Sequence, residues 1–200
     1  MVPAAPVLTA LAIAYPLVSH AASAFGMPAL GLLWLGLLML AGFFLGSRSP
    51  FMLSLGLLCL TAALIGHLSG HADLFLRLPP VIISAGLAWF FGRSLRPGRT
   101  PLAALVGERV RGELPPPVAR YGRRLTQVWT LFFVALTIEC ALLGLFASPS
   151  WWSLFTNFVN FTLVALLFVG EYPVRRLILG ELEPTPFLDG LREAVRVHLR

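Results

Sequence analysis

One acidic side chain, Glu139, lies deep within an apolar stretch of the chain. A charged carboxylate is costly in hydrocarbon, so an acid there is either a working group or a satisfied one. As a working group it would carry a proton or anchor a cationic group. As a satisfied one it would be a neutral acid, hydrogen-bonded to Asn157, Asn160 or a threonine. Asn157 and Asn160 stand three apart, a spacing that puts both on one face of a regular helix. They would hydrogen-bond between helices or meet a substrate, and helix packing is the simpler reading.

A second group is histidine-rich. His67 and His71 are four apart, with Asp73 following and His20 at the end of an earlier apolar run. A helix continuing past Leu68 would put His67 and His71 on one face, and such a set would suit a metal or a haem. Gly70 is a helix breaker between them, and His20 has no ordered spacing to either, so polar residues at a water interface are the better reading. The sequence implies no metal or other cofactor. Catalytic patterns are absent too. A His-x4-Asp acyltransferase signature would need four intervening residues; His67 and Asp73 have five between them, His71 and Asp73 one. There is no G-x-S-x-G elbow and no phosphate-cradling loop. No catalytic residue is assigned, and an enzyme is the less favoured class.

These residues are carried by membrane-spanning elements. The 200 residues are 58% hydrophobic and 12% charged, with a mean hydropathy of +0.83. Soluble domains carry about 25% charged residues, and apolar runs near 20 residues are long enough to cross a bilayer. The composition excludes a soluble, thiolase-like condensing enzyme and predicts an all-α membrane bundle forming a single domain over 1–200. Six spans are expected at about 7–25, 28–46, 51–68, 75–91, 128–147 and 151–170. Pro16, Pro79 and Pro80 would kink spans one and four or mark their ends. Ala22-Ser23-Ala24 resembles a signal-peptidase site, but no arginine precedes the run, so a retained first helix is expected. Cys59 and Cys140 fall in apolar runs without metal spacing and read as small buried thiols.

Charge is distributed unevenly. Eight arginines and two glutamates lie between Gly92 and Gln127, an excess equal to the +6 of the whole chain. There is no lysine. GC-rich coding would produce that bias, and bidentate recognition of carboxylate or phosphate would exploit it. The positive-inside rule places the 92–127 loop and the 171–200 tail in the cytoplasm, together with the Arg48 turn and the amino terminus. The turns at Gly26-Met27, 71–77 and Ser148-Pro149-Ser150 are then external, with Arg77 beside Asp73 as the one exception. Trp151 and Trp152 suit an external interfacial belt. This charge serves membrane topology, and no nucleic-acid partner is expected.

Within the loop, Thr100 reads as an N-cap and Pro101 as the first helical residue. Leu102, Leu105, Val106 and Val110 recur at helical spacing, which predicts a short interfacial helix ended by Pro115-Pro116-Pro117. Arg120, Arg123 and Arg124 then lead into span five on a helix projecting beyond the bilayer. In the tail, Phe187, Leu188, Leu191, Ala194, Val195 and His198 share one face of a second amphipathic segment. Glu171, Tyr172, Arg175 and Arg176 form a polar cluster at the end of span six that would anchor topology or bind phospholipid head groups.

Four stretches, Leu95-Arg96-Pro97-Gly98-Arg99-Thr100-Pro101-Leu102, Ala119-Arg120-Tyr121 with Trp129-Thr130-Leu131-Phe132-Phe133, Trp151-Trp152-Ser153-Leu154-Phe155-Thr156-Asn157, and Glu171-Tyr172-Pro173-Val174-Arg175-Arg176, resemble a family of small bacterial inner-membrane proteins. Its members accompany gene clusters for aryl-polyene and xanthomonadin-type pigments. The resemblance covers roughly residues 75–180 and carries no established activity with it. It implies a pathway that builds polyenes on small, acidic acyl carrier proteins. The expectation is an accessory or scaffold protein of the inner membrane. Arg96, Arg99, Arg120, Arg123, Arg124, Arg175 and Arg176 would bind anionic phospholipid, an acyl carrier protein or another pathway enzyme. The alternatives are a transporter or flippase using Glu139, Asn157 and Asn160, and a membrane acyl- or lipid-modifying enzyme.

Overall fold

The computed structural model describes residues 4–180. The fold is all-α, with no strand among the described residues. Helix α1 spans Ala4–Ala24, α2 Pro28–Gly42, α3 Pro50–Ser69, α4 Ala72–Ser94, α5 Leu102–Arg111, α6 Pro116–Phe146, α7 Pro149–Leu154 and α8 Asn160–Leu179. Two wider π turns interrupt this order, at Phe43–Ser47 after α2 and at Phe155–Val159 between α7 and α8. Six stretches are long and apolar enough to cross a membrane: Ala5–Ala24, Pro28–Gly46, Pro50–Ser69, Ala72–Ser94, Pro116–Phe146 and Pro149–Leu179. The predicted amphipathic segment at 187–198 lies outside the described residues.

The described residues fall into two compact units. One comprises residues 4–82 with 137–162, the other 83–136 with 163–180. In the first, α2 packs closely on α3. Gly36 and Gly56 make this approach possible, because a Cβ at either would stand 3.2 Å from the other's carbonyl oxygen and 2.9 Å from a leucine side chain. Leu32, Ala63, Leu76 and Trp152 form the core, with Phe75, Leu143 and Ala147 against it.

Short turns are possible because glycine ends the helices. Gly70 follows α3 with φ +73°, a left-handed conformation that a Cβ disfavours. Its N–H donates to the His67 carbonyl and that of His71 to the Gly66 carbonyl, so two carbonyls of the last turn are satisfied. Gly26 closes α1 in the same way, with Met27 donating to Ala22.

In the second unit α5 lies against the start of α6. A Cβ on Gly122 would meet the Ala104 backbone at 2.9 Å, so only glycine permits this contact. Phe91, Trp129 and Phe133 pack as an aromatic cluster, with centroid separations of 5.4–6.0 Å. The second unit also buries Ser84 and Thr126, while the first adds Ser19, Ser153, Asn157 and Asn160 to its apolar core.

Several boundaries differ from the sequence reading. Helix α6 has 31 residues, about 46 Å at the α-helical rise, against a hydrocarbon core of about 30 Å. Its first turns, carrying Arg120, Arg123 and Arg124, therefore continue the span as expected. Pro116 and Pro117 start this helix; they do not end α5, which stops at Arg111 with Gly112 at φ +80°. Proline is tolerated in a first turn because its missing N–H has no helical partner there. Pro16, Pro79 and Pro80 lie inside helices and end none. The sixth helix runs on past Gly170 to Leu179. Thr100 is not the cap of α5: Pro101 holds that position in an extended conformation.

Candidate functional site

The polar residues of the first unit form a row between α1, α7, α8 and the last turns of α6. Asn157 is buried, and its Nδ2 donates to the Ser153 carbonyl and Ser153 Oγ, both at 3.0 Å, and to Ser19 Oγ at 3.4 Å. Ser23 Oγ donates to the Ser19 carbonyl. His20 Nδ1 lies 3.2 Å from Ser153 Oγ, with its ring edge-on to Phe158. This histidine–serine contact joins residues 133 apart in sequence, so no local motif announces it. Ser153 is fully enclosed, and the contact ties α1 to α7.

Asn160 serves a different partner. Its Nδ2 donates to Glu139 Oε2 at 3.0 Å and lies 3.4 Å from Cys140 Sγ. Cys140 Sγ in turn lies 3.4 Å from Glu139 Oε2. The two asparagines, expected on one face, are therefore separated: Asn157 reaches α1 and Asn160 reaches α6. The physical cause is the π turn at Phe155–Val159, closed by the Asn160 N–H donating to the Phe155 carbonyl. One residue inserted into a turn rotates the rest of the helix by roughly 100° on the 3.6-residue repeat. Glu139 Oε1 and Asn160 Oδ1 are buried without a hydrogen-bond partner, as is Trp152 Nε1.

The histidine group does not converge. His67 is exposed on α3, His71 lies beyond the Gly70 cap with Nδ1 2.7 Å from the Ser69 carbonyl, and His20 belongs to the Ser153 contact. Among the described residues no three histidine, cysteine, aspartate or glutamate side chains gather as a metal-binding group. Cys59 and Cys140 are buried and free. A crevice of about 490 Å³ runs beside His67 and Asp73, but its wall is mostly glycine, alanine, leucine and proline.

Arg77, the exception to the charge rule, is absorbed by the protein. Its guanidinium donates to the Gly144 carbonyl in the last turn of α6 and lies 3.9 Å from Asp73. A cation there complements the negative end of a helix dipole. Trp151 is 60% exposed, consistent with an interfacial position, but Trp152 is 2% exposed and belongs to the core. Neighbours on a helix point about 100° apart, so one of the pair faces inward.

The arginines of the second unit are displayed differently. The α5 N-terminus is capped in trans: the Leu102 N–H donates to Ser94 Oγ and the Ala103 N–H to Thr126 Oγ1, each at 3.1 Å. Arg123 donates to the Leu95 carbonyl at 3.0 Å, which holds the 95–99 turn beside α6. Arg96 and Arg99 on that turn and Arg120, Arg123 and Arg124 on α6 are all exposed. None of the five pairs with an acid among the described residues. Arg175 differs: its Nε lies 3.5 Å from Glu171 Oε1, which also accepts from Tyr121 Oη at 3.0 Å. Arg176 remains exposed. The sequence grouped Arg175 with the free arginines because it did not show that Glu171 faces both α6 and its own helix.

Comparison with protein-family models, curated proteins and solved structures returns no match. The fold and composition define the class, an all-α protein whose six apolar helices are suited to a membrane.

Proposed function

We propose that this is an accessory protein of the bacterial inner membrane, both termini cytoplasmic, that docks an acidic soluble partner on its arginine surface. The observation that carries the reading is that Arg96 and Arg99, on the turn that Arg123 holds beside α6, and Arg120, Arg123 and Arg124 on that helix are all exposed and have no acidic partner among the described residues. Arginine side chains left exposed on rigid helices are suited to carboxylates and phosphates, which they grip in bidentate fashion. Long-range attraction would steer the partner and orient it at encounter.

The motif resemblance to proteins of aryl-polyene clusters supplies the partner's class: a small, acidic acyl carrier protein or a synthase that works with one. Holding the carrier at the bilayer would present a growing hydrophobic chain to the membrane. Anionic phospholipid competes for the same arginines at about 1 kcal/mol for each one near the surface.

The test is a pulldown of carrier protein by the purified full chain, with Arg120, Arg123 and Arg124 together changed to Glu. Capture by the native chain and its loss in the triple variant, with membrane insertion retained, is the expected result. Equal capture by both would remove the docking reading.

A further inference from the structure

We propose that Glu139 and Asn160 form an exchangeable site for a monovalent cation, a proton or a sodium ion, within the apolar span Pro116–Phe146 and the start of α8. The site is distinct from the arginine surface and does not depend on docking. Asn160 is 9% exposed. Its amide nitrogen is committed to Glu139 Oε2 at 3.0 Å. That bond joins the two side chains, and each leaves one buried oxygen without a donor, Glu139 Oε1 and Asn160 Oδ1. With the carboxyl ionised both are acceptors, and neither can satisfy the other. A buried acceptor left unmet costs about 1–3 kcal/mol, more when charged.

Charge points the same way. The groups that meet the Glu139 carboxyl are the amide of Asn160 and the thiol of Cys140, neither of them cationic. The arginines of the described ion pairs are committed to Asp73 and Glu171. A carboxylate in a membrane span needs a compensating positive charge, and among the described residues this one has no fixed counter-ion. The free atoms are hard oxygens, which suit a proton or an alkali cation over a soft transition metal. The π turn is the device that builds the site, since it turns Asn160 away from the Asn157 face and onto α6. Such single wide turns recur at functional positions.

The test is labelling of the purified full chain in detergent with dicyclohexylcarbodiimide, read by peptide mass. The reagent adds a neutral carboxyl across one C=N bond. The carboxyl oxygen bonds to the central carbon and its proton passes to nitrogen, giving an O-acylisourea that rearranges to a stable N-acylurea with no leaving group. The expected result is an adduct on Glu139 that disappears in Glu139→Gln and is suppressed by alkaline pH. Suppression by sodium chloride but not choline chloride at fixed pH identifies sodium as the occupant; suppression by pH alone identifies the proton. Asn160→Leu is expected to shift the half-suppressing cation concentration by about tenfold, the loss of one hydrogen bond to a charged group. Absence of the adduct at every pH in sodium-free buffer overturns the proposal when helicity and elution position are native. So does labelling by a water-soluble carbodiimide as ready as that of Glu108 and Glu113. An unchanged midpoint in Asn160→Leu overturns the two-residue site.

Discussion

Arg77 and the arginines of the 92–127 loop are used in opposite ways. Arg77 in the first unit is spent internally, on the Gly144 carbonyl and Asp73. Arg96, Arg99, Arg120 and Arg124 in the second meet no acid among the described residues and are exposed. The first unit buries Ser19, Ser153, Asn157 and Asn160, and the second closes on Phe91, Trp129 and Phe133. Committed and exposed arginines thus coexist, and a charge count alone would merge the two.

The sharpest way to break this contrast is in the first core. Trp152→Ala removes a side chain packed among Leu32, Ala63 and Leu76, and should cost about 3–5 kcal/mol. Denaturant titration of the detergent-solubilised protein measures it. A loss below the cost of a surface substitution would mean that Trp152 is not a core residue. Gly122→Leu tests the second unit, where the added carbon meets the Ala104 backbone. Overpacking of this kind costs about 1–3 kcal/mol and should free α5, read as faster amide exchange over Leu102–Arg111. Retained protection there would contradict the contact.

Asn157→Leu is expected to cost less, about 1 kcal/mol, because hydrogen bonds inside membrane bundles are individually modest. Its readout is a lowered unfolding midpoint, together with loosening between a cysteine pair introduced on α1 and α7. The smallest change in stability is expected from Arg124→Gln, which breaks no contact among the described residues. Its effect should appear instead in partner capture and its salt dependence, since exposed charges act over a Debye length of about 8 Å at physiological ionic strength. Arg77→Gln should do the reverse, lowering stability and leaving capture unchanged. Equal behaviour of the two variants would erase the distinction between committed and exposed arginines.

Much of the fold was legible in the residues. Apolar length marked six spans, and Gly70 marked the end of α3 ahead of His71. The periodicity from Leu102 marked α5, although its cap was misplaced: the donors of its first turn go to Ser94 and Thr126, 8 and 23 residues away. Proline misled at Pro116–Pro117, which start a helix, while Pro79–Pro80 lie within one, as one of the two readings had them. Local patterns carry no information on whether a proline's missing N–H falls where a helix has no use for it.

The sequence by itself determined the class of structure, since the cost of exposing apolar side chains and unpaired backbone to water or lipid leaves helices as the solution for such a composition. It also determined where the excess charge lies along the chain. Only the tertiary structure decided which charges are free, because pairing depends on groups brought together from distant positions. It separated Arg77 from Arg124, Trp152 from Trp151, and Asn160 from Asn157. In the last case a single wide turn, invisible in hydrophobic pattern, rotated one asparagine onto Glu139.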